Sequence, residues 1–100
     1  MPLIEIQPQR FRKIRYDTPP KGGNIDIEIE ANAALDIFIV PASEIERWRR
    51  GAGDYGGDGF LRKKYLRIRI NIGPEFEHEW YLVLDNKSDK AVTATYEVYQ

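Results

Sequence analysis

The chain has 100 residues, and its 15 basic and 16 acidic side chains leave a net charge of −1. This length predicts one domain over residues 1–100. The balanced charge argues against a dedicated nucleic-acid binder, because such proteins usually carry a basic excess. The sequence has no Cys, which excludes disulfides and thiolate metal sites.

The first segment, MPLIEIQPQRFRKIRYD, lacks the apolar core of a secretory signal, and no stretch of the chain is apolar enough to span a membrane. We therefore expect a cytoplasmic protein. The dense mixed charge, with one Met and no Cys, is typical of a thermophile.

Alternating apolar and polar residues predict strands over most of the chain. NIDIEIE places Ile25, Ile27 and Ile29 on one face, and EHEWYLVLD places Trp80 inward as a main core residue. ALDIFIVP is a more continuous apolar run, which predicts a central strand covered on both faces. The seven predicted strands are PLIEIQ, FRKIRYD, NIDIEIE, ALDIFIVP, YLRIRINI, EHEWYLVLD and AVTATYEVY.

This pattern predicts an all-β fold, an antiparallel jelly-roll-like β-sandwich of about seven to eight strands with one short helix near residues 43–50. FRKIRYD has two interpretations. Phe11 and Tyr16 among cations resemble a single-strand nucleic-acid contact, but an edge strand protected by charge explains the same residues and agrees with the near-neutral total.

The segment ASEIERWRRG predicts the helix. Ser43 and Glu46 have capping-box spacing, and Gly51 stands where a helix ends. Acidic residues begin the segment and arginines end it, which suits the helix dipole. Ile45 and Trp48 share one face and are expected to pack against the sandwich edge.

GAGDYGGDGF, at residues 51–60, does not match a phosphate-binding loop, because no Gly-Lys-Ser/Thr follows and a helix precedes it. It also lacks the ligand spacing of an EF-hand, since Asp54 and Asp58 are its only carboxylates. A mobile connecting loop is the simpler interpretation. A weak calcium or carbohydrate contact through Asp54, Tyr55 and Asp58 remains the alternative.

The sequence offers no set of catalytic residues. His78 is the only histidine, and on a strand it shares the inner face with Trp80 rather than with its flanking glutamates. Ser43 is a predicted cap and Ser88 lies in a predicted turn, so a Ser-His-Asp arrangement has little support. We expect a protein that is not an enzyme and needs no cofactor.

The strands YLRIRINI and EHEWYLVLD are separated by only GPEF, which predicts a hairpin. Parity then places five residues on one outer face as candidates for a self-association interface, with Tyr99 a further candidate. The opposing interpretation is that the helix or the glycine-rich loop covers these residues within one chain. The five candidates are Tyr65, Arg67, Arg69, Tyr81 and Val83.

LDIFIVPASEIERWRRG, followed by a polar loop and then EWYLVLDNKSDKAVTATYEV, resembles the GOLD-like β-sandwich domains. These domains include the lumenal part of the p24 cargo receptors. The likeness covers roughly residues 24–99, but this chain lacks the disulfide, signal peptide and anchor of the p24 family. The resemblance implies a jelly-roll-like sandwich with a non-enzymatic role in protein interaction, and it transfers no catalytic residue.

The sequence therefore supports two hypotheses on function. The first is an interaction module that associates with itself, for example as a homodimer. The second is a sandwich that binds carbohydrate or calcium through the 51–60 loop.

Overall fold

The fold is built almost entirely from antiparallel strands, in a computed structural model that describes residues 2–17, 23–51, 57–71 and 79–99. The all-β prediction is confirmed, with six strands in the described residues. A 3-10 turn, Ala42–Glu44, leads into helix α1, Ile45–Arg49. The strands are β1 (Leu3–Ile6), β2 (Arg10–Asp17), β3 (Asn24–Pro41), β4 (Asp58–Asn71), β5 (Glu79–Asn86) and β6 (Val92–Tyr99).

Strand β3 replaces two predicted strands, NIDIEIE and ALDIFIVP. The three residues between them, Ala31–Ala33, contain neither Gly nor Pro, so the chain bends without turning back. The bend appears as register shifts against β4, between Glu30 and Leu35 and between Leu35 and Ile37. The prediction that NIDIEIE and ALDIFIVP form two separate strands is therefore wrong.

The six strands form one curled sheet in the order β1-β6-β3-β5-β2, with β4 on the other edge of β3. Residues 24–31 of β3 lie between β6 and β4, whereas residues 36–41 lie between β5 and β4. The sheet therefore has two halves. We call the part with β1, β6 and residues 65–71 of β4 the open half, and the part with β2, β5 and residues 58–63 the covered half.

The two halves meet at a line that we call the crease. It lies where the chain passes from β1 to β2 and from β5 to β6. β1 gives way to β2 at residues 7–9, and β5 gives way to β6 at residues 87–91. Gln9 takes a positive φ of 60°, and its backbone N–H donates to the carbonyl of Ser88 at 3.2 Å. The two connections are thus bonded to each other.

Asn86 fixes the crease from inside. Its side chain is fully buried, and Nδ2 donates to the carbonyls of Ile6 at 3.0 Å and Lys90 at 2.7 Å. Its Oδ1 accepts from the N–H of Ser88 at 3.0 Å. A buried amide stabilises a fold only when its hydrogen bonds are made. The bonds of Asn86 therefore fix the position of residues 7–9 relative to residues 87–91.

The core lies on the concave inner face of the curled sheet, and both halves contribute to it. Trp80 is fully buried and stacks on Tyr16 with ring centroids 4.9 Å apart, which confirms it as a main core residue. Burial, and then the nearby Tyr96 from the other half, raise the pKa of Tyr16. The buried core comprises Ile6, Ile25, Ile27, Ile29, Leu35, Ile37, Ile39, Leu66, Trp80, Leu82, Leu84, Val92 and Ala94.

The expected hairpin between β4 and β5 is wrong. β3 separates the two strands, because it is long and apolar enough to bond β4 along one edge and β5 along the other. The sheet order confirms that β2 is an edge strand, as its basic sequence predicted. Within the described residues, no helix is long and apolar enough to cross a membrane.

The helix differs in detail from its prediction. It begins later than Ser43, and neither N-cap residue, Pro41 or Glu44, makes a side-chain cap hydrogen bond. Gly51 ends the helix as predicted, with a φ of 85° that glycine adopts readily. Its N–H donates to the carbonyl of Trp48 at 2.9 Å.

Candidate interaction surface

The outer face of the covered half is a second, smaller apolar cluster. Trp48 of α1 meets Phe11 of β2 edge-on at 5.0 Å and Phe38 of β3 at 5.3 Å, measured between ring centroids. Val40 and Val83 lie on this same face and are fully buried. The helix therefore packs across an outer sheet face, rather than against an edge of the fold as expected.

Val83 is the clearest correction among the predicted interface residues. Its parity was right, because it points away from Leu82 and Leu84, but it is fully buried beside Phe38. The interpretation in which the chain's own helix covers this face is the correct one here. Val83 therefore contributes to stability and is not available to a partner.

Tyr81 belongs to the same face as Val83. It is half-buried, it pairs with Arg15 across the sheet, and Lys13 Nζ lies 5.0 Å from its ring centroid. Arg15 forms an ion pair with Glu79. Tyr81 thus lies in the covered half and does not join Tyr65 in a continuous patch, because Tyr81 stands opposite Val40 and Tyr65 opposite Glu30, in different halves of β3.

Tyr65, Arg67 and Arg69 do lie together, on the outer face of the open half. They project from β4 opposite Glu30, Glu28 and Asp26 of β3, respectively. Arg69 Nε lies 2.7 Å from Asp26 Oδ1, and Arg67 Nε lies 3.7 Å from Glu28 Oε2.

Two ladders of opposite charge therefore run side by side, basic on β4 and acidic on β3. The outward orientation predicted for both arginines is confirmed, and their acidic partners come from β3.

Large apolar side chains stand out on this outer face. Leu3 of β1 is 72% exposed, Tyr65 of β4 is 54% exposed and Tyr99 of β6 is 55% exposed. Leu3 shares one cross-strand row with Tyr65, through Thr95 and Glu30. Sequence reasoning missed Leu3; its opposite parity to Ile4 and Ile6 was a signal, but the pairing of β1 with β6 was not predictable.

The electrostatics of this face follow from its ion pairs. The hydrogen bond from Arg69 holds the pKa of Asp26 below its ordinary value. A hydrogen bond to Glu97 raises the pKa of the Tyr99 hydroxyl. An open depression of about 520 Å³ lies among these groups, lined mainly by Asp26, Glu28, Arg67, Arg69 and Tyr99. The face is thus polar at its centre, with apolar side chains around it.

The calcium candidates are only partly described. Asp54 and Tyr55 lie outside the described residues, as does His78. Asp58 is the exposed first residue of β4 and stands opposite Ile39. The described ranges bring no group of three His, Cys, Asp or Glu side chains together in a way that could hold a metal ion.

An acidic pair at the crease was not anticipated from sequence. Asp36 and Asp85 stand opposite each other across β3 and β5, and both side chains are largely buried. Lys87 Nζ lies 3.8 Å from Asp36 Oδ2 and 3.9 Å from Asp85 Oδ2. The N–H of Arg62 donates to Asp36 Oδ1 at 2.9 Å, and burial raises the pKa of Asp85. These partners give the pair a structural role in joining β3, β4 and β5.

No protein-family model matches this chain, and no curated protein matches it significantly.

Proposed function

We propose that this protein is a non-enzymatic interaction module that self-associates through the outer face of the open half. One observation carries the proposal. Four large apolar side chains of the described residues are more than half exposed, and Leu3, Tyr65 and Tyr99 lie on this single face. Tyrosines with a rigid ring and a polar tip are favoured at protein interfaces.

Charge complementarity favours a second copy as the occupant. The arginines of β4 run beside the acids of β3, so the face carries a positive ladder next to a negative one. A two-fold axis parallel to the strands, between β3 and β4, would place Arg67 and Arg69 of each copy over Asp26 and Glu28 of the other. Tyr65 then lies inside the overlap, and Tyr99 and Leu3 lie along its border. Such a closed dimer uses the same surface twice, and sheets packed in this way lie nearly aligned.

The resemblance to GOLD-like domains is part of the same proposal. A GOLD-like, jelly-roll-like sandwich agrees with the curled antiparallel sheet, whose two halves enclose one core. It also agrees with a short helix that follows the LDIFIVP strand and packs on it through Trp48. Domains of this kind act by binding other proteins, which is the role proposed here.

The test is the mass in solution, measured by light scattering over the micromolar range. The parent chain is expected to be a dimer, and Tyr65→Glu a monomer, because the substitution places a carboxylate within the face. Leu61→Glu is the matched control. Leu61 is 58% exposed, but it lies beside Asp36 and Lys87 near the crease, so this variant is expected to remain a dimer.

A parent chain that is monomeric throughout this range would refute self-association. A dimer that persists in Tyr65→Glu would place the interface elsewhere, and a dimer lost in both variants would show that the effect is not specific to this face.

A further inference from the structure

The free edge of β4 has the properties of a binding site for an extended peptide strand. β4 bonds β3 along one edge, and no other described strand bonds it along the opposite edge. A strand edge presents unpaired N–H and C=O groups at regular spacing, which a further strand can bond. Residues 65–71 are the suitable part, because their register against residues 24–30 of β3 is unbroken.

The rest of β4 is protected against such pairing. Register shifts disturb residues 60–63, and Arg62 takes a positive φ of 57°, so the edge is irregular there. Arg62, Lys63 and Lys64 add consecutive cations, which are a common protection of edge strands. The regular segment that follows has no register shift against β3, and no described strand bonds its other edge.

Side chains at this edge define what an incoming strand must carry. On the inner face Leu66 is buried, whereas Ile68 and Ile70 are half-buried, so apolar side chains would extend the core row. On the outer face Arg67 and Arg69 would face the new strand, and acidic side chains would complement them. The required strand therefore alternates apolar and acidic residues.

A second copy does not supply such an edge. β4 carries five cations and one acid, and the edge strand β2 is also predominantly basic. The third edge strand, β1, has four residues and a single acid, too short to complement both Arg67 and Arg69 along residues 65–71. Pairing β4 with β4, or β4 with β2, would bring like charges together across the new ladder, which is destabilising. The described edge strands of this chain therefore complement residues 65–71 poorly, which favours a strand from another protein.

We propose that residues 65–71 of β4 bind an extended segment of a partner protein in which apolar residues alternate with Asp or Glu. The chain contains the template for this recognition. Residues 24–30 of β3, Asn-Ile-Asp-Ile-Glu-Ile-Glu, bond the other edge of the same segment, with Asp26 against Arg69 and Glu28 against Arg67. The partner strand would repeat this chemistry on the free edge.

The proposal shares Arg67 and Arg69 with the self-association proposed above, but the two can be separated because only peptide binding also uses the backbone edge of β4. A failure of the dimer test leaves peptide binding measurable in the monomer. A dimer without peptide binding would leave the outer-face proposal intact.

The experiment uses a fluorescent peptide with the sequence NIDIEIE and a control peptide, NIKIKIK, in which lysines replace the acids. Binding to the full chain is followed by fluorescence anisotropy, and amide hydrogen exchange locates the bound peptide. We expect saturable binding of the acidic peptide alone, weakened by added salt. Amides of residues 65–71 that face the free edge should exchange more slowly.

Arg67→Glu is expected to weaken binding of the acidic peptide by about tenfold, because it replaces an attraction with a repulsion. Arg49→Glu, an exposed helix residue far from this edge in the fold, should bind as the parent does. Thermal unfolding of each variant verifies that it is folded. Equal binding of both peptides, no binding of either, or exchange protection at β2 instead of residues 65–71 would overturn the proposal.

Discussion

The two halves of the sheet present outer faces of opposite character. In the covered half, Phe38, Val40 and Val83 are apolar and lie under the helix that carries Trp48. In the open half, the equivalent outer positions of β3 are Asp26 and Glu28, which pair with arginines from β4. Strand alternation indicates which face a side chain occupies, but it does not indicate what lies over that face.

The difference follows from composition along β3. Its last part is apolar at consecutive positions, so both of its faces need cover. The helix follows β3 directly and supplies that cover at little cost in loop entropy. The first part of β3 alternates strictly, so its outer face is already stable in water. One strand thus requires intramolecular packing over its outer face at one end but not at the other.

Placing an aspartate on each outer face should give the largest difference in unfolding free energy between the two halves. Val83→Asp is expected to cost about 3–5 kcal/mol of unfolding free energy, because the charge would be buried without a partner. Asn71→Asp is the matched change on the exposed outer face of the open half, and should stay within about 0.5 kcal/mol. Denaturant unfolding of both variants measures this difference, and similar values for the two would contradict the comparison.

Removing the Trp48 side chain, which covers the outer face of the covered half, should have the next largest effect on stability. Trp48→Ala loses the ring contacts with Phe11 and Phe38 and is expected to cost about 2 kcal/mol, less than a fully buried Trp because Trp48 is half-buried. Arg49→Ala, one position further along the helix, should change stability by less than about 0.5 kcal/mol. If Trp48→Ala behaved like Arg49→Ala in denaturant unfolding, the helix would contribute nothing to this half.

The smallest expected effect is a contrast in acid titration. The hydrogen bond from Arg69 lowers the pKa of Asp26 in the open half, whereas burial raises the pKa of Asp85 in the covered half. Asp26 therefore adds stability above its unfolded pKa, and this contribution is lost as the pH falls through its folded pKa. Asp85 acts in the opposite sense: its contribution is full below its unfolded pKa and is lost as the pH rises through its folded pKa.

Carboxyl carbon shifts followed by NMR across the acid range measure both titrations. Arg69→Gln should raise the pKa of Asp26 towards its ordinary value and leave Asp85 unchanged. A pKa of Asp26 that is insensitive to this substitution would show that the ion pair does not set it.

Alternation alone gave the correct faces of the inward isoleucines 25, 27 and 29 of β3, of Trp80, and of the outward Arg67 and Arg69. These results depend on a period of two that needs no knowledge of neighbours. The run ALDIFIVP also identified a central strand covered on both faces. The edge position of β2 followed from its basic side chains.

What the sequence could not provide was the pairing between distant strands. The four residues between the two predicted strands suggested that β4 and β5 pair. In the structure both strands bond β3 instead, which is longer than either and rich in isoleucine. The bend in β3 carries no Gly or Pro, so nothing in its composition distinguishes a bulge from a strand end. The exposed group of Leu3, Tyr65 and Tyr99 depends on β1 pairing with β6, which only the three-dimensional arrangement supplies.

The central position of β3 also has a kinetic consequence. β3 and β4 are successive strands and form a local pairing, whereas in the described chain β1 and β2 bond strands from its other end. Contacts between distant segments form slowly, because loop closure costs entropy before the contacts form. Folding is therefore expected to start from the β3–β4 hairpin and to finish as β1 and β2 dock. Until β5 and β6 arrive, one edge of the isoleucine-rich β3 is exposed, and that intermediate is the species most prone to aggregate.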